Sequence, residues 1–142
     1  MREKKAHAHR TDPAHYSPIV SDSRAESFRY ALSGWAYMLR YQKNTRIQAA
    51  ATLLVIAFGL WLGLAPLEWA IIALVIGLVW LTEFINAAIE AAVNVISPDL
   101  HPMAKVSKDV AAGATLFAVI LSVMVGLLVL GPPLVEKFAP GS

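Results

Sequence analysis

Four polar residues fall at helical spacing within an otherwise apolar run: Glu83, Asn86, Glu90 and Asn94. Their separations of 3, 4 and 4 place them on one narrow stripe of an α-helix, since each residue advances about 100°. Glu83 and Glu90 lie two turns apart, roughly 10 Å along the axis. The remaining faces carry Ile, Val, Leu and Ala. Such a stripe cannot face hydrocarbon without a cost of several kcal/mol, so it must face protein, water or a ligand. Interhelical hydrogen bonding explains the amides well. It explains the two carboxylates poorly, because they repel unless protonated or bound to a cation.

A second cluster follows after a short loop. His101, Lys105, Lys108 and Asp109 open the next helical pattern, with Lys105 and Asp109 sharing a face at i,i+4. Taken alone, this is an ordinary solvated helix start. The short connection, however, brings these cations level with Glu90 and Asn94. Carboxylates, amides and lysines gathered in this way suit phosphoryl transfer. That chemistry uses Mg²⁺ on one or two carboxylates plus phosphate oxygens, cations that offset phosphate charge, and a carboxylate near the attacking hydroxyl. Neither the G-x-x-x-x-G-K-[ST] loop nor the protein-kinase motif set is present. Without cysteine, disulfide frameworks, thiolate metal sites and cysteine nucleophiles are excluded. The tail histidines His7, His9 and His15 could ligate a metal, but the plainer reading is a solvated segment. No nucleic-acid partner is expected.

The elements that must position these groups read as membrane spans. The chain has 142 residues, 57% hydrophobic and 15% charged, against about 25% charged in soluble domains. Between Arg46 and Glu83 the only charged residue is Glu68, and between Asp109 and Glu136 there is none. Runs of this length cross a hydrocarbon core of about 30 Å. The fold class expected is therefore an all-α membrane protein with spans at about 47–64, 69–96 and 105–130. A turn is expected at Ala65-Pro66-Leu67-Glu68, a break at Ser97-Pro98-Asp99, a loop over Leu100–Ala104, and a stop at Gly131-Pro132-Pro133. The middle span exceeds what a bilayer requires and is expected to emerge or tilt. The run Ala111-Ala112-Gly113-Ala114 allows close helix packing. Residues 1–22 read as a disordered polar tail and 135–142 as a short tail.

Residues 23–44 read as an amphipathic helix, capped by Ser23 with Glu26 at capping-box spacing. Phe28, Leu32, Trp35 and Leu39 form its apolar stripe, and Arg24, Arg29, Arg40 and Lys43 supply the basic residues. This composition suits a membrane surface. Eleven of the twelve Lys and Arg lie before the first span or in the loop region between the second and third. The positive-inside rule then places the N-terminus and second loop in the cytoplasm and the C-terminus outside, in a multi-pass protein of the cell membrane.

At these residues the sequence resembles the prokaryotic diacylglycerol kinase family, which includes undecaprenol kinases. The family pattern runs roughly E-x-[LI]-N-[TS]-A-I-E-x-x-[VI]-D, then a short loop, then A-K-x-x-K-D. Glu83 to Asn94 matches the first part and Ala104 to Asp109 the second, with His101-Pro102 similar to the family loop. The resemblance covers about residues 26–134. It implies a homotrimer with composite sites between neighbouring subunits at the cytoplasmic surface, ATP and a membrane lipid alcohol as substrates, and Mg²⁺. It implies Glu83 as general base, Asn86 ordering the site and Glu90 as metal ligand, with Lys108, Asp109, Asn94 and Lys105 on the nucleotide. Three positions depart from the pattern. Ala87 replaces Thr or Ser, Asn94 replaces Asp, and Gln42 stands where many members place an acidic metal ligand. These departures motivate one alternative, a weak or inactive membrane scaffold of the same fold. The carboxylate stripe motivates another, an ion-conducting subunit. The loop from Gly63 to Glu68 is more similar to the undecaprenol kinase branch.

Overall fold

The computed structural model describes residues 23–97 and 101–139. Every regular element among them is an α-helix: α1 (Arg24–Tyr41), α2 (Lys43–Leu62), α3 (Pro66–Ile96) and α4 (Pro102–Phe138). The expected tail 1–22 lies outside the described residues. The chain divides into two compact units, 1–37 and 38–142.

Most of α1 belongs to the first unit. Its start follows from Ser23, whose Oγ accepts the Glu26 backbone N–H at 3.2 Å, satisfying one of the donors a helix N-terminus leaves open. One turn on, the Tyr30 hydroxyl donates to the Glu26 carboxylate at 2.9 Å. Phe28, Leu32, Trp35 and Leu39 are all exposed.

The helix expected over 23–44 is divided at Gln42, whose backbone is extended (φ −93°, ψ 115°). The Gln42 N–H closes α1 on the Met38 carbonyl at 3.0 Å, and its own carbonyl accepts from Arg46 at 3.4 Å. One extended residue thus separates two hydrogen-bond ladders. It also moves the start of the first spanning helix back to Lys43, through polar residues that hydropathy assigns to the preceding segment.

α2 ends on Gly63, which takes a left-handed conformation (φ 76°) and donates to the Gly59 and Leu60 carbonyls. A side chain there would be strained, so glycine suits the position. The turn expected at Ala65–Glu68 lies earlier, over Gly63–Ala65. Pro66 instead occupies the first turn of α3. A first-turn residue has no use for an N–H, and proline's fixed φ is already helical. The Glu68 carboxylate accepts the Ala65 N–H at 2.6 Å and secures this start.

α3 has 31 residues, about 46 Å at 1.5 Å each, well beyond the thickness of a hydrocarbon core. Its last turn closes with the Ser97 N–H on the Val93 carbonyl at 2.9 Å. Pro98, Asp99 and Leu100 lie outside the described residues.

α4 departs from expectation at both ends. Pro102 begins it, so Pro102 to Ala104 are helical rather than loop. The His101 ring Nδ1 accepts the Met103 N–H at 3.2 Å and acts as the cap. At the other end the helix runs through Gly131, Pro132 and Pro133 to Phe138. The prolines remove donors that would have bonded the preceding turn, yet their φ remains helical. The final turns are instead held from outside: Lys137 donates to the Trp61 carbonyl and stands 4.6 Å from the centroid of the Trp61 ring. The Trp61 and Phe138 rings lie 6.0 Å apart. Tertiary contact with the end of α2 thus overrides the local stop signal, as neighbouring helices commonly allow for prolines in spanning segments.

In the second unit, α3 and α4 run antiparallel and pair closely, while α2 touches each much less. Ala111 and Ala118 are buried, which lets the backbones approach. Two polar contacts tie the middle of the bundle. Trp80 Nε1 donates to Thr52 Oγ1 at 3.1 Å, and Ser122 Oγ donates to the Val75 carbonyl at 3.1 Å. Large apolar side chains such as Leu54, Leu74 and Leu128 point outward, more than 70% exposed. Among the described residues three helices, α2, α3 and α4, are long and apolar enough to cross a membrane.

The crossing of α2 and α3 depends on Gly59. A Cβ there would stand 2.8 Å from Trp69 Cη2 and 2.9 Å from Leu64 Cδ1. Gly59→Ala is therefore expected to destabilise the fold by about 1–3 kcal/mol. Gly113→Ala, where an added Cβ meets nothing within 4 Å, is expected to be neutral or to stabilise by up to ~1 kcal/mol through helix propensity. Thermal unfolding of both variants in detergent checks this.

Candidate active site

The stripe on α3 is aimed inward. Glu83 is 4% exposed and Asn86 is 9% exposed, although both sit in a helix apolar enough to cross a membrane. Helical spacing puts them on the same face, and that face turns towards α2 and α4. Both line a cavity of about 740 Å³ between the three helices of the second unit. Asn44, Gln48 and Thr52 of α2 and Thr115 of α4 line it too.

Several polar atoms here have no protein partner. Asn86 Oδ1, Gln48 Nε2 and Thr115 Oγ1 are buried without a hydrogen bond. A buried polar atom left unpaired costs about 1–3 kcal/mol. Three of them around one cavity, beside a buried carboxylate, mark a place built to hold a polar group. The sequence reading missed Asn44, Gln48, Thr52 and Thr115. The signal was present, since Asn44 and Gln48 are i,i+4 at the start of an otherwise apolar helix, but neither carries charge.

The other expected residues lie outside this cavity. Asn94, on the last turns of α3, meets the start of α4: Lys108 Nζ donates to Asn94 Oδ1 at 3.1 Å. This contact joins the stripe to the cationic helix, as the short loop leads one to expect. Lys105 pairs with Asp109 on the same face of α4. Both side chains are more than 60% exposed, so this pair contributes little to stability. Glu90 is half-buried between the two groups. Gln42, also half-buried, forms the N-cap of α2 without a side-chain cap bond.

No group of three or more His, Asp or Glu side chains converges among the described residues. An all-protein cage of the calcium type is therefore not formed by them. Mg²⁺ held by one or two carboxylates together with nucleotide phosphates needs no such cage, and Glu90 near the Lys108 end fits that simpler requirement.

A family model described as prokaryotic diacylglycerol kinase matches residues 29–130, which contain all of these groups. The chain belongs to the prokaryotic diacylglycerol kinase family. It is 38% identical over 109 residues to an undecaprenol kinase of Bacillus subtilis, covering 77% of this chain and 89% of the relative. It is 40% identical over 118 residues to a diacylglycerol kinase of Synechocystis, covering 82% of this chain and 67% of the relative. A diacylglycerol kinase of Escherichia coli is 29% identical over 85 residues, 60% of this chain and 70% of that one. Membership makes the chain a membrane lipid kinase. The polar stripe and the cationic helix start lie inside the matched region, whereas Pro132 and Pro133 of α4 fall beyond it.

The Trp80–Thr52 bond positions α2 against the face of α3 that carries Glu83. A double-mutant cycle with Trp80→Phe and Thr52→Val is expected to give a coupling of about 0.6 kcal/mol and no more than ~1.7 kcal/mol, the mean and upper limit for interhelical bonds in membranes. Unfolding measured in mixed micelles supplies the four stabilities.

Proposed function

We propose that this kinase transfers the γ-phosphoryl group of ATP to the hydroxyl of a membrane lipid alcohol, at a site on the cytoplasmic surface of a homotrimer. The observation that carries this reading is the contact of Lys108 Nζ with Asn94 Oδ1 at 3.1 Å. It joins a phosphate-seeking cation to the helix that bears the carboxylates. The relatives named for diacylglycerol and undecaprenol supply the substrate class: both are lipids presenting a hydroxyl at the membrane surface.

Glu83 takes the proton of the lipid hydroxyl. The freed oxygen attacks the γ-phosphorus in line, the bond to the β–γ bridging oxygen breaks, and ADP leaves with that electron pair. Asn86, one turn away, orders the hydroxyl through its unpaired Oδ1. Lys108 offsets charge on the phosphates, with Asp109, Asn94 and Lys105 forming the rest of the nucleotide contact. Glu90 and Gln42 would hold Mg²⁺, which when bound neutralises triphosphate charge. Gln42 contributes a carbonyl oxygen without charge, so affinity at that position rests mainly on Glu90.

The distribution of basic residues supports the orientation, with α1 and the α3–α4 connection at the cytoplasmic face. α1 lies in the interface, its Phe28, Leu32, Trp35 and Leu39 stripe in the acyl boundary. The outward apolar surface of α2 to α4 is divided between lipid and neighbouring copies.

Two outcomes test the assignment. With labelled ATP and lipid in bilayers, Glu83→Gln is expected to lower turnover by about 10²–10⁴-fold, the usual worth of a general base, while thermal unfolding stays near that of the parent chain. Retained turnover would remove Glu83 from this role. Gln42→Glu is expected to lower the Mg²⁺ concentration needed for half-maximal rate. An unchanged Mg²⁺ dependence would remove residue 42 from the metal site.

A further inference from the structure

The start of α4 hangs on the single residue before it. A helix N-terminus leaves its first N–H groups without partners inside the helix. Here Pro102 has no N–H to place. The Met103 N–H goes to His101 Nδ1 at 3.2 Å. The Ala104 and Lys105 N–H groups go to the His101 carbonyl at 2.9 and 3.3 Å. Every donor of the first turn thus ends on His101, one at the ring and two at the carbonyl. No acidic residue stands in that turn to offset the helix dipole. Burial helps little: Met103 and Val106 are exposed, and the first buried residue of the helix is Ala111. Lys105, Lys108 and Asp109 all lie between the cap and Ala111.

The ring caps the helix in one protonation state only. A neutral imidazole with its proton on Nε2 accepts at Nδ1, whereas an imidazolium carries protons on both nitrogens and accepts at neither. Its charge would also oppose the positive end of the helix dipole. Histidine is the side chain that changes charge between pH 5 and 8. The cap is therefore present above that range and lost as the pH falls through it. The ionisable groups towards this end of the bundle are Glu90 on α3, Lys105, Lys108 and Asp109 on α4, and Lys43 and Arg46 on α2. Among the described residues none of them pairs with His101, and Lys105 and Asp109 pair with each other. Asp99, close in sequence, lies outside the described residues.

We infer that His101 is a positioning residue for the nucleotide: its neutral ring orders the helix start that carries Lys105, Lys108 and Asp109, and acidification releases that start. The inference rests on the lipid-kinase reading, in which those three residues contact ATP. It deepens that reading with a pH control that acts on nucleotide affinity rather than on proton transfer.

The backbone at His101 (φ −70°, ψ 134°) is extended, as a residue before proline prefers. Asparagine caps helices from that conformation and does not titrate. His101→Asn therefore keeps the cap and removes the switch, while His101→Ala removes both.

Two measurements on the full chain test this. The first, nitrogen NMR of the ring with hydrogen exchange at the Met103 amide, needs no turnover. At pH 8 the ring is expected as the Nε2–H tautomer. Between pH 8 and pH 6 the amide is expected to lose about fivefold of its protection, the usual worth of a cap, after correction for the intrinsic exchange rate. In His101→Asn protection stays constant. An Nδ1–H tautomer at pH 8, or unchanged protection in the parent chain, would overturn the inference.

The second measures Kd for a non-hydrolysable ATP analogue with Mg²⁺, and kcat at saturating ATP, at both pH values. At pH 6 the parent chain is expected to bind the analogue about fivefold more weakly than His101→Asn, with the same kcat. Taking this ratio cancels the titration of ATP and of Glu83, which both chains share. His101→Ala is expected to bind weakly at both pH values. Equal Kd for parent and His101→Asn at pH 6, or a difference confined to kcat, would overturn the inference. So would tighter binding by the parent chain on acidification, which would mean that the imidazolium itself holds phosphate. If the parent chain bound the analogue but phosphorylated no lipid alcohol, the proposed function would fail instead, and Kd would still decide the role of His101.

Discussion

Acidic side chains in the middle of a membrane-spanning helix constrain everything around them. An ionisable group near hydrocarbon costs several kcal/mol unless protein, water or ligand surrounds it. Glu83 and Asn86 answer that constraint by turning inward, where α2 and α4 bury them almost completely. The helix is apolar on its other faces, so its rotation about its own axis is determined. Once that rotation is set, Trp80 meets Thr52 on α2 and Val75 meets Ser122 on α4. The polar stripe is thus both the site and the device that orients the bundle.

The bundle is unevenly packed, and the unevenness has a use. α3 and α4 approach closely over small residues such as Ala111 and Ala118. α2 stands off, anchored at its far end by Gly59 against Trp69 and by Trp61 against Lys137 and Phe138. Between these anchors lies the groove that contains Glu83. A span held at its end and along one hydrogen bond, rather than packed throughout, leaves room for a ligand without exposing the carboxylate to lipid.

Much of this was legible in the sequence. Long uncharged runs predicted three spanning helices, and the 3-4-4 spacing predicted one face for Glu83, Asn86, Glu90 and Asn94. The short connection predicted that Lys108 would meet that helix, and it bonds Asn94. The helix ends were less legible. Pro66 and Pro102 read as turn and loop but serve as first-turn residues, because proline has the same local signature in both settings. Pro132 and Pro133 read as a stop, and only the contact of Lys137 with Trp61 carries the helix past them. That contact joins residues 76 positions apart, which no local pattern encodes. The part played by Gln48 and Thr115 was missed because uncharged polar residues in a span do not stand out until the cavity they line is known.

The central claim is that the acidic face of α3 meets the cationic start of α4 at one end of the bundle within the membrane. The chain contains no cysteine, so paired substitutions report without background. Cysteines introduced at Asn94 and Lys108, treated in native membranes with a short bifunctional thiol reagent, measure that meeting directly. The account expects rapid crosslinking between these two positions, and no crosslinking when Lys108 is paired with a cysteine at Leu67, at the far end of α3. Failure of the first pair to crosslink, or equal reaction of both pairs, would contradict it.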